Sequence, residues 1–322
     1  MDLTAIVLTY NEQRHIARCI DNLRRVASTI FVVDSFSTDR TCDIAREHGA
    51  VVLQHAYVNQ SQQFIWALDN CPVTTAWTLR LDADEYLSDA LIAELEATLP
   101  SLPDHVTGCR FPLLVKFLGR ELRHGKIHAI RILRLWRTGL ARMEQRWMDE
   151  RCYLTQGDII DLKNFFIDEN LNGLGEFTRK HNNYSNREIV AATEHLWRTP
   201  SVATPASSAH TPQQPLTAHN TQPPLAPNTQ QPLASRNTEK SRYYRLPKFL
   251  RATLYFLVRY ILFGGFLDGK PGFIWATLQA YWYRFLVDAK LEEMHRAIGP
   301  HPSPEALKQY FKDHFDITIT PE

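Results

Sequence analysis

Cysteine is scarce: the 322 residues hold five, at positions 19, 42, 71, 109 and 152, and no Cys-x-x-Cys. An odd, scattered set supports neither a disulfide framework nor a zinc site. On apolar faces such thiols act as small hydrophobes, and a reducing cytoplasm suits them. Net charge is also nearly absent. Thirty-six Lys and Arg against 35 Asp and Glu leave +1, so no global field attracts nucleic acid. The 13 histidines show no metal-ligand spacing. The nearest pair, His124 and His128, has no acid partner in a zincin pattern and reads as surface or loop histidines. No Gly-x-Gly-x-x-Gly follows the first apolar run, and no Gly-x-x-x-x-Gly-Lys-Ser/Thr occurs anywhere. These absences argue against a dinucleotide enzyme and a P-loop ATPase. The first apolar run starts at Leu3 with no charged region and cleavage site before it, so no signal peptide is expected.

What is present has a rhythm. Leu3 to Leu8 reads as a buried parallel strand ending in Thr9-Tyr10-Asn11-Glu12. A helical pattern follows, with Ile16, Cys19, Ile20 and Leu23 on one face. Ile30 to Val33 is a second strand, ending in Asp34-Ser35-Phe36-Ser37-Thr38-Asp39, and a helix from Thr41 to Glu47 follows. Val51 to Leu53 is a third strand, and Leu79 to Leu81 belongs to a fourth. Strand, polar loop and helix in alternation predict a doubly wound α/β sheet, whose ligands sit beyond the carboxyl ends of the strands. Asn11, Asp34, Asp39, Asp82 and Asp84 all fall there. Asp82-Ala83-Asp84 places two carboxylates at i and i+2, which on a strand point the same way. Such a pair reaches one hard cation, Mg²⁺ or Mn²⁺, which takes one or two carboxylates plus substrate phosphates. Helix capping is the competing reading for this triplet, as it is for Asp39.

Val-Leu-Thr-Tyr-Asn-Glu (7–12), Val-Asp-Ser-Phe-Ser-Thr-Asp-Arg-Thr (33–41) and Leu-Asp-Ala-Asp-Glu (81–85) resemble, in order and spacing, the N-terminal signatures of family 2 glycosyltransferases. The resemblance covers roughly residues 1–190. It implies a GT-A fold, an inverting reaction, a nucleotide-sugar donor and a divalent metal. It places Thr9, Asn11, Glu12, Asp34, Ser35 and Asp39 around the nucleotide-sugar. Asp82 would bind ribose or the metal, and Asp84 would hold the metal against the diphosphate.

An inverting transfer is one in-line displacement, and a carboxylate must take the acceptor hydroxyl's proton. The resemblance points to Trp147-Met148-Asp149-Glu150, where related enzymes carry an acidic pair or His-Glu. Glu150 is the favoured base and Asp149 the alternate. An ordinary exposed acidic pair is the competing reading. Nine Lys and Arg, against Glu121 and Glu144 alone, lie between Lys116 and Arg146. They suit an anionic acceptor or a phosphate-rich site, or form a solvated face.

Composition changes at Thr199. From there to Thr238 the chain holds eight of its 18 prolines and no charged residue except Arg236. This stretch reads as a disordered linker over 199–240, between a catalytic domain (1–198) and a helical region (241–322). Residues 241–285 carry 14 of the 35 aromatics, and 241–290 carry eight Lys and Arg against Asp268 and Asp288. Leu250 to Leu267 is strongly apolar yet contains Arg251 and Arg259. A central Arg makes a spanning helix costly, so a helix lying at headgroup level is expected, with Arg251 and Arg259 facing the interface. A hairpin packed on the catalytic domain is the alternative. Phe266 to Phe273 and Trp282 to Lys290 resemble the C-terminal region of family 2 enzymes of lipopolysaccharide-core and exopolysaccharide synthesis. Lys-His-Asn-Asn-Tyr-Ser (180–185) resembles the same branch.

The reading is a metal-dependent, inverting glycosyltransferase at the cytoplasmic face of a bacterial inner membrane. It would use a nucleotide-sugar, a UDP-sugar first, and a lipid-linked or lipopolysaccharide-type saccharide acceptor, with no nucleic-acid partner. A nucleotidyltransferase of similar sheet architecture and a catalytically silent membrane-associated scaffold are the rivals.

Overall fold

The computed structural model describes residues 1–127, 130–197 and 243–319. His128 and the Pro/Thr/Gln-rich segment 199–240 lie outside the described residues.

The apolar run at the N-terminus forms β1 (Leu3–Thr9), and all seven residues are buried. That follows from its place, since β2 (Thr29–Asp34) and β4 (Trp77–Asp82) flank it in parallel and helices cover both faces. β3 (Val51–Gln54) extends the sheet beyond β2, also in parallel. On one face lie α1 (Ile16–Leu23), α2 (Thr41–Glu47) and α4 (Asp89–Thr98). The stripe of Ile16, Cys19, Ile20 and Leu23 is fully buried there. On the other face α3 (Gln60–Asn70) seats Phe64 edge-on against Trp136.

The sheet order is β3-β2-β1-β4-β8-β6-β12-β5. Here the expectation of a mostly parallel sheet needs refining. From β4 onward, β8 (Arg131–Arg137) pairs antiparallel with β4 and with the long β6 (Val106–Phe117). Parallel pairing returns where β6 meets β11 (Asp158–Asp161) and β12 (Phe166–Asp168), and β5 (Glu85–Leu87) closes the order antiparallel to β12. β7 (Arg120–Leu122) pairs with β6. A separate ribbon joins β9 (Ala141–Met143) to β10 (Cys152–Leu154). The result is a mixed α/β fold whose parallel half is doubly wound, consistent with GT-A. The five cysteines are free.

Helices follow the sheet: α5 (Gly173–Ala192), α6 (Glu194–Trp197), α7 (Leu250–Leu262), α8 (Gly265–Ile298) and α9 (Pro304–Phe315). Ile189 and Val190 of α5 pack with Val287, Leu291 and Met294 of α8 and with Leu307 and Phe311 of α9. Trp275 of α8 stacks edge-on with Phe117 at the end of β6. The helical region is therefore docked on the sheet domain through α8, as in the packed-hairpin alternative. α7 and α8 meet at a bend of 70°. Gly264 adopts a positive φ of 69° there, and a Cβ on Gly265 would come within 3.0 Å of the Arg259 carbonyl oxygen. Buried Asp268 pins the bend by accepting from the backbone N–H groups of Arg123 (3.2 Å) and His124 (3.0 Å). It also contacts His124 Nδ1 at 2.7 Å. His124 thus has a carboxylate partner, one that sequence spacing does not show.

Arg251 does not face an interface. It is 3% exposed and forks onto Asp288, itself 1% exposed, with Nε donating at 2.8 Å. Its guanidinium stacks on Tyr244. The charge expected at headgroup level is instead neutralised inside the hairpin. Removing one partner of such a buried pair leaves an uncompensated charge, which costs about 3–5 kcal/mol. Asp288→Ala should therefore destabilise the protein by roughly that amount in denaturant titration, and Asp288→Asn by less. A midpoint unchanged in Asp288→Ala would show that the pair does not hold the hairpin.

Candidate active site

Three strand ends build one side of a cleft of about 990 Å³. Behind β1 the chain turns through Asn11, whose φ is 55°. Asn11 holds that shape by side-chain and backbone bonds to the loop after β2. Its N–H donates to Ser37 Oγ (2.8 Å) and its Oδ1 accepts from the Thr38 N–H (2.8 Å). The Glu12 N–H donates to Thr41 Oγ1 at 2.8 Å. His15 then bridges outward: its Nδ1 meets Glu12 Oε2 at 2.5 Å, while its Nε2 accepts from the Leu171 N–H at 2.7 Å.

Thr9, Asn11, Glu12, Ser35, Asp82, Asp84, Asp149 and Glu150 all line this cleft. Asp34 and Asp39 do not. Asp34 is fully buried and accepts from the Ser37 N–H (2.9 Å), the Ser37 hydroxyl and Gln54 Nε2 (3.0 Å). Burial alone would raise its pKa, but these donors outweigh it and hold the carboxyl below the usual range. Asp39 accepts from the Thr41 N–H (2.9 Å), the Thr41 hydroxyl and the Gln13 N–H (3.2 Å), so it ties the start of α2 to the first loop. Both aspartates shape the wall rather than face the cavity.

The Asp-x-Asp pair departs from the expected strand geometry. β4 stops at Asp82, and Ala83-Asp84 forms the turn into β5. Both carboxylates still face the cleft, each with cationic company. Asp82 lies 3.6 Å from Arg80 and 3.8 Å from Arg134. Asp84 Oδ2 accepts from Asn170 Nδ2 at 3.0 Å and lies 3.6 Å from Lys180 Nζ. Burial would push Asp84 up, but Lys180 and Asn170 hold it below the usual carboxylate range. Asp84 in turn holds the Lys180 ammonium well above its ordinary range. Beneath them Glu85 is buried against Arg134, and burial pushes it well up. Asp168 is pushed up to about 7 by burial, then by Asp84 and Asp82.

This donor set suits a divalent cation in one way only. Among the described residues no group of three His, Cys, Asp or Glu side chains converges to hold a metal. Mg²⁺ or Mn²⁺ needs one or two protein carboxylates when substrate phosphates supply further oxygens. Asp84, with Asp82, meets that requirement for an ion that arrives with a diphosphate.

Across the cleft, Asp149 sits at a φ of 58° in the loop between β9 and β10, and Glu150 follows it. Burial raises the Glu150 pKa above the usual carboxylate range, Asp82 and Asp149 add to this, and Arg80 opposes it. A partly buried carboxylate with a raised pKa is a better proton acceptor than an exposed one. Glu150 is thus a half-buried carboxylate of the cleft, while Asp149 beside it is exposed. The basic stretch before them divides in the same way: Arg120, Arg123, Lys126, Arg131 and Arg142 are exposed and Arg134 is buried. Arg131 donates to the Leu162 carbonyl, Arg134 to Glu85 and Arg137 to the Val106 carbonyl, so these side chains brace the sheet.

Sequence reasoning missed Lys180 as a cleft residue and Asn170 as the hydrogen-bond donor to Asp84. The only signal was the Lys-His-Asn-Asn-Tyr-Ser stretch, placed on α5 without a role. Tyr184 and Arg187 of the same helix also line the cleft, and Arg187 donates to the Tyr57 hydroxyl at 2.8 Å.

Residues 4–152 match the family model described as glycosyl transferase family 2. This part of the chain belongs to that family. An uncharacterized glycosyltransferase of Rickettsia typhi is 32% identical over 120 residues, 37% of this chain and 40% of that protein. The lipopolysaccharide core biosynthesis glycosyltransferase LpsC of Rhizobium meliloti is 30% identical over 152 residues, 45% of this chain and 54% of that protein. The match thus spans about half or less of these relatives' length. Among solved structures, glucosyl-3-phosphoglycerate synthase of Mycobacterium tuberculosis, in complex with Mn²⁺, uridine diphosphate and glucosyl-3-phosphoglycerate, superposes with a TM-score of 0.29. Identity is 17%, over 35% of this chain and 43% of that one.

The raised Glu150 pKa has a stability consequence. The fold favours the protonated carboxyl, so this group's contribution is intact below the unfolded pKa and is lost as pH rises through the folded one. Glu150→Gln should therefore raise the Tm at pH 8 and change it less at pH 4. A variant equally or less stable at pH 8 would refute the raised pKa.

Proposed function

We propose that this family 2 domain transfers a sugar from a nucleotide-sugar, a UDP-sugar first, to a saccharide hydroxyl with inversion. One observation carries the reading. The ends of β1, β2 and β4 and the Asp149-Glu150 pair face each other across a single cleft. A donor laid over the strand ends has its sugar pointing at Glu150. Glu150 takes the proton from the acceptor hydroxyl as the oxygen bonds to the anomeric carbon, and the bond from that carbon to the diphosphate oxygen breaks. Asp149 is the alternate base. Lys180, Arg179 and Arg14 also line the cleft and bring positive charge to the departing diphosphate. Asp84, with Asp82, would hold a divalent cation, whose chemistry is to neutralise charge on that leaving group.

The acceptor reading rests on α7. Leu250, Leu254, Leu257, Val258, Ile261 and Leu262 are all exposed, Leu262 at 74%. Their spacing of three and four puts them on one face, so this helix turns its apolar side outward. Phe263, Phe266, Leu267 and Phe273 extend the patch around the bend. A patch this continuous marks an interaction surface. No single described helix is long and apolar enough to cross a membrane. The face suits a helix lying in the bilayer interface, which would bring the cleft to a lipid-linked acceptor. Most nearby cations already have partners inside the protein: Arg251 with Asp288, Lys248 with Glu292, Lys290 with Asn182 and Asn186. Apolar contact, rather than charge, would therefore dominate attachment. Association with the cytoplasmic leaflet belongs to this proposal.

Two experiments test the reading. Hydrolysis of a panel of UDP-sugars with Mn²⁺ or Mg²⁺ should identify a donor. Glu150→Gln should keep UDP binding and lose turnover by roughly 10²–10⁴-fold, and Asp84→Ala should lose on the order of a thousandfold or more. Full turnover in Glu150→Gln and Asp149→Asn alike would refute the base, and full turnover of Asp84→Ala in EDTA would refute the metal. In liposome flotation the chain should float, resist high salt and be released by carbonate. Ile261→Glu with Leu262→Glu should abolish flotation. A soluble wild type would remove the membrane from the proposal.

A further inference from the structure

A second cavity, of about 520 Å³, lies between the sheet domain and the helical region. Met148, Asp149 and Tyr184 line both it and the donor cleft, so the two share a wall beside Glu150. Five tyrosines line it: Tyr184 from α5, Tyr243 and Tyr244 from the segment before α7, Tyr255 from α7, and Tyr283 from α8. Four carboxylates line it too, of which Glu144 and Asp288 are ion-paired with Arg146 and Arg251, and Asp149 and Glu188 are the others. Among the tyrosines stands Arg284 of α8. Its guanidinium lies 3.9 Å from the Tyr255 ring centroid and 5.1 Å from that of Tyr243. Among the described residues it has no carboxylate within ion-pair distance, unlike Arg251, although Glu188 of the same lining acts on it from further off. Three buried polar atoms of the lining residues have no well-formed hydrogen bond, Arg284 Nε, Tyr243 Oη and Gln279 Oε1, although Arg284 and Tyr243 stand beside each other and Gln279 stands beside His181. Buried polar groups are ordinarily satisfied, so a cluster of unsatisfied ones around a cavity is a place where a ligand completes the bonding.

Resting on the glycosyltransferase reading above, we propose that this cavity is the acceptor site and takes a sugar residue carrying an anionic group, a phosphate monoester or a carboxylate. The aromatic walls match the apolar faces of a pyranose ring. Tyr243 Oη and Gln279 Oε1 meet ring hydroxyls, and Arg284, a planar fork of donors, meets the anion. A neutral sugar would leave Arg284 with the tyrosines and the more distant Glu188 but without a direct ion pair. The position also suits the chemistry, since Met148 and Asp149 line this cavity and Glu150, the next residue, lines the donor cleft.

Direct binding to the full chain tests this without recourse to turnover. Saturation-transfer NMR and calorimetry would compare glucose 6-phosphate, glucuronate, glucose and inorganic phosphate, with UDP titrated in parallel to report on the donor cleft. Both anionic sugars should bind about tenfold or more tightly than glucose or phosphate alone. UDP should not displace them. Arg284→Gln should remove this preference, again by about tenfold or more, with UDP affinity unchanged. If Arg284→Gln does not fold, Gln279→Ala carries the test and should weaken glucose 6-phosphate several-fold. Equal binding of glucose and glucose 6-phosphate overturns the proposal, as does phosphate alone binding as well as the phosphosugar. Displacement by UDP would place the sugar in the donor cleft and overturn it too. An unaltered preference in Arg284→Gln, or in Gln279→Ala where that variant is needed, is equally fatal. Sugar binding with no UDP binding would sink the donor reading and leave the cavity assignment standing.

Discussion

The site depends on holding four carboxylates together at the end of β4 without letting their repulsion open the sheet. Asp82, Asp84, Glu85 and Asp168 come from the turn between β4 and β5 and from the neighbouring β12. Three cations from three different elements stabilise them: Arg80 on β4, Arg134 on β8 and Lys180 on α5. The Arg80 contact stays within β4, while the other two each join two elements. Arg134 reaches from β8 to Glu85 of β5, across strands that are not neighbours in the sheet order. Lys180 ties α5 to the turn, and α5 is the helix on which α8 and α9 pack. The position of the helical region is therefore coupled to the charge balance at the cleft. On the proposed reading, a diphosphate or a cation arriving beside Asp84 would compete for the Asp84–Lys180 contact, one of the anchors of α5.

That coupling also marks where sequence reading reaches its limit. The first four strands, the stripe on α1 and the bounds of α2 follow from local pattern, because burial of a parallel strand or one helix face writes a period of its own into the chain. The cleft-lining Thr9, Asn11, Glu12, Asp82 and Asp84 are legible for the same reason, since they stand where a strand must end. Asp34 and Asp39 occupy equivalent places and do not face the cavity. What separates them from Asn11 is the orientation of hydroxyls on Ser37 and Thr41, which no spacing encodes. Lys180 answers Asp84 from a distant helix, and Arg134 answers Glu85 across the sheet. Long-range charge pairs of this kind have no period and are invisible until the fold brings them together.

The helical region inverts the usual lesson about charge and hydrophobicity. Composition there suggests arginines at a lipid headgroup level with an apolar body behind them. In the structure Arg251 is inside, locked to Asp288, and the leucines of α7 are outside. The physical reason is that a short hairpin has little apolar material to spare. The tyrosines and the inner face of α8 are committed to packing on α5 and β6, so the inner face of α7 is left with Arg251, Tyr255 and Arg259. These satisfy one another through the Asp288 fork, the bond from Arg259 to the Tyr255 hydroxyl and stacking on Tyr243 and Tyr244. A polar interior with an apolar exterior is the arrangement an interaction surface presents.

The same inversion explains the second cavity. Tyrosines and arginines packed face to face cannot close as tightly as aliphatic side chains, because each ring presents an edge hydroxyl that must be placed. Space of about 520 Å³ remains where Tyr243, Tyr255, Tyr283 and Arg284 converge. It lies against the loop that carries Asp149, between the outward apolar face of α7 and the cleft. On the proposed reading, a lipid-borne saccharide would use all three features: the apolar face of α7 for the lipid, the tyrosine-lined space for the sugar, and Glu150, whose pKa burial raises, for the proton of its hydroxyl.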